Sequence, residues 1–211
     1  MFVCIEGIDA SGKATQSKLL AERLGFKRFA FPAYETNFGK LIQGHLQKHW
    51  QALPAGGTGI DAFKPTADRI ELLNAAVFQA LQVANRLEVV PDINAAFEMG
   101  HSVVVDRYWP SGFAYGGIDG LDTDWLIKLH SSLPQPDLFI LLEIDPSLSV
   151  RRRPERRDRY EKQSGLMERV AIAYQELWER MITAGKVGWH IVDGQHSIEE
   201  VYEIILRLVL P

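Results

Sequence analysis

Short runs of apolar residues alternate along the chain with longer segments in which apolar positions recur at helical spacing. The short runs are typical of buried parallel strands, and the longer segments predict helices that bury one face. Strands that alternate with helices are joined by right-handed crossovers within a parallel sheet. We therefore expect an α/β fold built on a five-stranded parallel sheet. The predicted strands are Phe2–Glu6, Arg28–Phe31, Ser102–Asp106, Leu138–Ile144 and Trp189–Val192.

The longest helical pattern runs from about Thr66 to Met99, and we expect a bend near Pro91 because proline interrupts helical hydrogen bonding. Its small apolar residues lie on more than one face, which indicates burial in the core and against a second subunit. Residues 51–64, rich in Gly, Ala and Pro, predict a loop before it. A final helix begins at Ser197, where Glu200 completes a capping box.

The composition suits one domain spanning residues 1–211. Of the 211 residues 46% are hydrophobic, and the net charge of −4 disfavours a nucleic-acid partner. No apolar stretch approaches the ~18–20 residues of a spanning helix. Asp9 and Lys13 interrupt the first apolar run too early for a secretory signal. We therefore expect a cytoplasmic protein with no membrane partner.

A loop with the pattern Gly-x-x-x-x-Gly-Lys follows the first predicted strand and precedes a helix. In that context the loop N–H groups and the helix N-terminus direct positive charge at a phosphate. Lys13 should reach the β- and γ-phosphates of a nucleotide, and Asp9 either forms a turn or projects into the same crevice. The motif normally continues with Ser or Thr, whose hydroxyl holds Mg²⁺, but this chain has Ala14 and then Thr15. The predicted ATP-binding residues are Gly7, Ile8, Asp9, Ala10, Ser11, Gly12, Lys13, Ala14 and Thr15.

Charged residues follow two further strands. Asp106 and Arg107 close the third strand, where a carboxylate can hold a Mg²⁺-bound water and an arginine can grip a phosphate. The alternative is a salt bridge that merely ends the strand. Residues 151–161 read RRRPERRDRYE, with six arginines. Such a run is a solvated face, a nucleic-acid arm or a flap that closes over ATP, and its place after a strand end favours the flap.

Arg86 follows Asn85 on a largely apolar part of the long helix. An unpaired buried charge is costly, so Arg86 requires either a carboxylate or a ligand. Glu88 is too near in sequence to face it on a helix. Ligand recognition and a structural salt bridge both remain open.

Together these segments resemble the thymidylate kinase family, the P-loop kinases that transfer phosphate from ATP to dTMP. Residues 6–16 resemble its EGxDxxGKxTQ motif, and Phe31-Pro32 its FP signature. Residues 84–88 are similar to ANRxE, and residues 106–115 to DRYxxSGxAY. LPQPDL and DRYE are two further matches, at residues 133–138 and 158–161.

The resemblance implies a three-layer P-loop kinase fold with an Arg-rich lid over about residues 151–162, Mg²⁺ with ATP as co-substrate, and a homodimer. Asp9 would meet the deoxyribose 3′-hydroxyl, Arg107 the acceptor phosphate and Arg86 the pyrimidine base. Tyr115 would crowd the 2′ position against ribonucleotides. The catalytic candidates are Lys13, Asp9, Arg107, Arg153, Arg156 and Arg157. The substrate-binding candidates are Asp9, Tyr34, Gln82, Arg86, Arg107, Ser111, Tyr115 and Tyr160, and the metal candidates are Thr15 and Asp106.

The chain departs from the family pattern on both sides of the reaction. On the donor side Ala14 lacks the Mg²⁺ hydroxyl, for which Thr15 or Asp106 through water is the substitute. One branch of the family has a loop arginine where this chain has Ala10, and the other branch supplies the catalytic arginine from the lid. We therefore expect that arginine from residues 153–157.

On the acceptor side Tyr34 occupies the position of a phosphate-binding arginine. Gln82 occupies the position of an aromatic ring that stacks on thymine, with Phe78 one turn earlier as its substitute. The expected function is therefore a dTMP kinase. The alternatives are a kinase for another or modified deoxynucleoside monophosphate, or a nucleotide-binding relative without catalysis.

Overall fold

The computed structural model describes residues 1–46, 67–152 and 165–210, and for residues 67–74 the backbone alone. Its strands are β1 (Phe2–Glu6), β2 (Lys27–Ala30), β3 (Val103–Asp106), β4 (Leu138–Glu143) and β5 (Trp189–Asp193). They form one sheet in the order β2-β3-β1-β4-β5, and every neighbouring pair is parallel. The five-stranded parallel sheet predicted from the sequence is confirmed.

Helices cover both faces of this sheet. Alternate residues of β1 point to opposite sides, so Phe2 and Cys4 join one hydrophobic cluster while Val3 and Ile5 join the other. The first cluster lies under α3, α4 and α7, and the second under α1 and α8, which gives the predicted three layers. The helices are α1 (Lys13–Leu24), α2 (Asn37–Leu46), α3 (Ala67–Glu98), α4 (Trp109–Ile118), α5 (Thr123–Leu129), α6 (Pro146–Arg152), α7 (Leu166–Thr183) and α8 (Ile198–Val209).

Helix α3 runs through Pro91 without an interruption. Proline removes one backbone donor, which leaves the carbonyl of Leu87 without its helical partner. Both residues are exposed, so water can satisfy that carbonyl at little cost. The long helix predicted over residues 66–99 is therefore one element.

The ends of the elements lie within one residue of their predicted positions. Strand β2 spans Lys27–Ala30, although the N–H of Phe31 still donates to the carbonyl of Asp106 at 3.0 Å. Ser197 caps α8 with both reciprocal bonds of the predicted capping box. Residues 51–64 lie outside the described residues. Among the described helices, none has the length and apolar character needed to cross a membrane.

Candidate active site

The glycine loop follows β1 at the carboxyl edge of the sheet, where parallel strands direct the residues that follow them. A side chain at Gly7 is excluded, because its φ is +143° and a Cβ there would lie 2.5 Å from the carbonyl oxygen of Leu142. Gly12, at φ +105°, precedes the first residue of α1, which is Lys13. The loop amides and the positive end of α1 therefore converge on one point, as in an anion site.

Lys13 lies inside this loop and is 5% exposed. Its ammonium donates to the carbonyl of Ile8 at 2.6 Å and to Ser11 Oγ at 3.4 Å. Burial, with the positive charge of Arg107, lowers the pKa of Lys13 to about 8. The loop's own oxygens thus hold the ammonium at the place where a nucleotide phosphate would replace them.

Arg107 connects the end of β3 to the glycine loop. Its guanidinium forms an ion pair with Asp9, and its Nη1 donates to the Gly7 carbonyl at 3.3 Å. Burial alone would lower the pKa of Arg107, but the charge of Asp9 and the neighbouring tyrosines raise it above its usual value. The guanidinium therefore stays charged beside the loop. Arg107 and Ala10 have φ of 66° and 57°, so the two non-glycine residues with positive φ in the described part of the chain lie at this site, as strained residues at functional sites often do.

Glu6, the last residue of β1, lies beside this site, although it was not among the predicted site residues. It is fully buried, and its carboxylate accepts from the N–H groups of Tyr108 and Ser111 at 2.6 and 3.2 Å. It also accepts from the hydroxyls of Ser111 and Tyr174 at 2.8 and 2.9 Å. The available signal was an acidic residue that ends an otherwise apolar strand directly before the glycine loop.

Arg86 lies on α3 with 2% of its surface exposed. Its Nη2 donates to the carbonyl of Tyr108 at 2.6 Å, whereas its Nε and Nη1 are buried without a partner among the described residues. Burial lowers the pKa of Arg86 to about 10, against the charge of Glu6, which acts in the opposite direction. No described carboxylate forms an ion pair with it, so of the two readings left open the geometry favours ligand recognition.

Three other acceptor-side candidates lie on α4, on α3 and in the loop after β2. Tyr115 on α4 is half-buried, with its ring centre 6.0 Å from the guanidinium carbon of Arg107. Gln82 is half-buried one helical turn before Arg86, on the same face of α3. Tyr34 is partly exposed in the loop after β2. The structure therefore gathers these candidates at one edge of the sheet.

Asn85 and Phe78 on α3 have structural contacts. The amide of Asn85 accepts from the N–H of Ala33 at 2.9 Å and donates to Thr36 Oγ1 at 2.8 Å, which fixes the loop after β2. Phe78 is buried and stacks on His45 of α2, with ring centres 4.3 Å apart. Phe78 therefore packs against α2, which disfavours it as a substitute for the missing stacking ring.

The metal candidates are not arranged as a resident metal site. Ala14 and Thr15 are exposed in the first turn of α1, and Asp106 Oδ2 accepts from Arg28 Nη2 at 3.0 Å. Arg28 in turn binds Ser17 Oγ at 2.7 Å. Over residues 1–46, 67–152 and 165–210, no three His, Cys, Asp or Glu side chains are placed to share a metal ion. These side chains do not fit a protein-held cation, so a cation that accompanies ATP belongs to the substrate.

The described part of the arginine run contacts the glycine loop. Arg152, the last residue of α6, donates from Nη1 to the carbonyls of Ala10 at 3.2 Å and Gly194 at 3.5 Å. The sequence analysis assigned no role to Arg152, although it belongs to the basic run. The lid candidates Arg153, Arg156, Arg157 and Tyr160 lie outside the described residues.

A cavity of about 420 Å³ lies between the end of β4 and α7, and Ile8 of the glycine loop contributes to its lining. Glu143, Asp145 and Glu168 also line it. Carboxylates repel phosphate, so this lining does not favour phosphate groups.

Comparisons with known proteins identify relatives of this chain. The sequence model of the family described as thymidylate kinase matches residues 63–205. The chain is 32% identical over 212 residues to the thymidylate kinase of Schizosaccharomyces pombe, an alignment that covers 98% of this chain and 90% of the relative. It is 35% identical over 217 residues to the probable thymidylate kinase of Pyrococcus abyssi, with 99% and 95% covered.

A solved structure, the thymidylate kinase from Candida albicans, superposes on this fold with a TM-score of 0.76 at 26% identity. The superposition covers 99% of this chain and 90% of that chain. The match to the sequence model begins after the glycine loop, whereas the relatives align over almost the whole chain, loop included. This chain therefore belongs to the thymidylate kinase family.

Proposed function

We propose that the protein transfers the γ-phosphoryl group of Mg·ATP to dTMP and releases dTDP and ADP. The observation that carries this proposal is the contact of Arg107 with Asp9 and the Gly7 carbonyl. That contact places the guanidinium of Arg107, which would bind the acceptor phosphate, against the loop that would bind the donor phosphate. Phosphoryl transfer needs little beyond such positioning and charge stabilisation.

On the donor side, the triphosphate lies along the loop from Gly7 to Thr15. Lys13 exchanges its bond to the Ile8 carbonyl for bonds to the β- and γ-phosphate oxygens. The negative charge of these oxygens then stabilises the ammonium, which burial has removed from water. The cation enters with ATP as part of the substrate, with Thr15 and Asp106 as candidates for contact through water. Arg153, Arg156 and Arg157 are the proposed source of the arginine that stabilises the transferring group.

On the acceptor side, Arg107 binds the phosphate of dTMP and Asp9 accepts from the 3′-hydroxyl. The unpartnered Nε and Nη1 of Arg86 donate to carbonyl oxygens of the base, because a pyrimidine supplies the acceptors that these buried atoms lack. Tyr115 excludes a 2′-hydroxyl. Ser111, Tyr34, Gln82 and Tyr160 complete the proposed acceptor site.

A coupled assay that measures ADP release tests this function with dTMP, dUMP, dCMP and dGMP as acceptors. We expect turnover that depends on ATP and is fastest with dTMP. The absence of turnover with every acceptor, together with tight ATP binding, would contradict the proposal and favour a nucleotide-binding relative.

A second candidate is a kinase for another or modified deoxynucleoside monophosphate. Gln82 favours it, because an amide one turn before Arg86 offers hydrogen bonds to a base edge where the family has a stacking ring. Adding a modified pyrimidine monophosphate to the acceptor series separates the two candidates. A higher kcat/KM for that nucleotide than for dTMP selects the second.

The protein is also proposed to form a homodimer through α2 and α3. Val77, Ala80 and Leu87 lie on one outward face of α3, and Phe38 and Leu41 extend this apolar surface on α2. The two helices pack together, so the exposed side chains form one patch of the kind that marks an interface.

Leu87→Glu places a charge in this patch and should convert the dimer to a monomer, as measured by sedimentation equilibrium. Val187→Glu is the matched control, because Val187 is exposed elsewhere on the molecule. A wild-type protein that sediments as a monomer at all concentrations would contradict the dimer.

A further inference from the structure

We propose that Glu6 is a positioning residue that holds both acceptor-side guanidiniums, Arg86 and Arg107, without touching the substrate. The inference rests on the proposed function, because it assigns these two arginines to the acceptor. Arg107 is linked to Glu6 through two hydroxyls, and Arg86 is linked to it through one backbone residue.

The link to Arg107 runs through two hydroxyls. Tyr174 OH and Ser111 Oγ lie 2.9 and 2.8 Å from Glu6 Oε2 and 2.9 Å from each other. They also lie 3.4 and 3.5 Å from Nη1 of Arg107. A carboxylate only accepts hydrogen bonds, so the two hydroxyl protons are drawn toward Glu6 or along the hydroxyl pair that leads to it. The oxygen lone pairs then remain for the guanidinium, which Glu6 thereby orients.

The link to Arg86 runs through one backbone residue. The N–H of Tyr108 donates to Glu6 Oε1 at 2.6 Å, and its carbonyl accepts from Arg86 Nη2 at 2.6 Å. Tyr108 caps α4, so the same carboxylate fixes the start of that helix and the carbonyl that holds Arg86. The charge of Glu6 also favours the charged form of Arg86 against its burial.

Indirect contact is what makes this arrangement useful. Within the described residues Glu6 forms no direct ion pair with an arginine or lysine. A direct pair would consume the donors that a ligand needs, whereas the relay leaves Nε and Nη1 of Arg86 without a partner. Glu6 therefore supports the buried charge of Arg86 and the partly exposed charge of Arg107, which pairs with Asp9, without forming a direct ion pair with either guanidinium.

The decisive variant is Tyr174→Phe, which removes one hydroxyl of the relay and keeps the ring. Tyr202→Phe is the matched control, since Tyr202 is equally buried in the cluster on the opposite face of the sheet. For Tyr174→Phe we expect the KM for dTMP, and its Kd from calorimetric titration, to rise about tenfold, the effect of one hydrogen bond. The KM for ATP should stay unchanged, and Tyr202→Phe should change neither KM.

Glu6→Gln removes the charge and should lower kcat/KM for dTMP about 100-fold, because both guanidiniums lose their support. The double variant Glu6→Gln/Tyr174→Phe should have the same kcat/KM for dTMP as Glu6→Gln alone, because the Tyr174 hydroxyl acts through the Glu6 carboxylate. If Glu6→Gln does not fold, as judged by thermal unfolding, the Tyr174→Phe result decides alone. An unchanged Kd for dTMP in Tyr174→Phe, or equal rises in both KM values, would overturn the proposal. Failure of the proposed function is distinguishable, since it appears as a lack of turnover by the wild-type enzyme.

Discussion

The donor and acceptor sides of this site are built in opposite ways. The donor side is one continuous loop whose glycine conformations and N–H groups create the anion site before any side chain is considered. The acceptor side is assembled from the side chains of β1, α3, β3, α4 and α7. A backbone site is retained or lost as a unit, whereas a side-chain site can change one residue at a time. Tyr34 and Gln82 therefore change the acceptor side directly, whereas Ala10 and Ala14 change side chains of the loop and leave its glycine conformations in place.

The largest expected effect comes from removing Lys13 from the donor loop. Lys13→Met deletes the buried ammonium and should lower kcat about 10²–10³-fold, as the loss of one preorganised donor to the transition state does. Steady-state assays of ADP release measure it. Lys18→Met is the control on the same helix, since Lys18 is exposed and pairs with Glu22. Equal loss in both variants would contradict a specific role for Lys13.

On the acceptor side the largest expected effect comes from Arg107→Ala. It should lower kcat/KM for dTMP about 100-fold and leave the KM for ATP unchanged, because the guanidinium and its ion pair with Asp9 are both lost. Arg107→Lys keeps the positive charge but lacks the planar guanidinium with its paired N–H donors, so it should recover part of the activity. If Arg107→Ala raised the KM for dTMP only modestly and left kcat intact, the assignment of Arg107 as a catalytic residue would be wrong.

The same contrast explains what the sequence could predict. The strands, the glycine loop and the Ser197–Glu200 capping box are local patterns, and the structure has them within a residue. The bond between Tyr174 and Glu6 joins residues 168 positions apart, and that between Arg28 and Asp106 joins residues 78 apart. No local periodicity specifies such pairs, because they depend on which elements the sheet order brings together.

A smaller change tests whether the acceptor side can be restored one residue at a time. Gln82→Phe replaces the amide with the family's ring and should lower the KM for dTMP about tenfold through stacking, which contributes ~1–3 kcal/mol per base. Gln82→Leu controls for added apolar surface without a ring. A higher KM for dTMP in Gln82→Phe would mean that the Gln82 amide hydrogen-bonds the base. That result would favour another or modified deoxynucleoside monophosphate as the acceptor.

The smallest expected effect is the uptake of at most one proton, and it concerns the donor side alone. Burial lowers the pKa of Lys13 to about 8, and a bound triphosphate should raise it again, so ATP binding should take up a proton. The uptake should be ~0.1 proton at pH 7 and nearly one at pH 9, because at pH 9 Lys13 of the protein without ATP is mostly neutral. A phosphate loses its own last proton at a pH of about 6, so it does not interfere at pH 9. Calorimetry in buffers of different ionisation enthalpy measures the uptake, which Lys13→Met should abolish and Lys18→Met should retain. Uptake at pH 9 that survives in Lys13→Met would assign the titration to another group and remove the link between this buried ammonium and the phosphate.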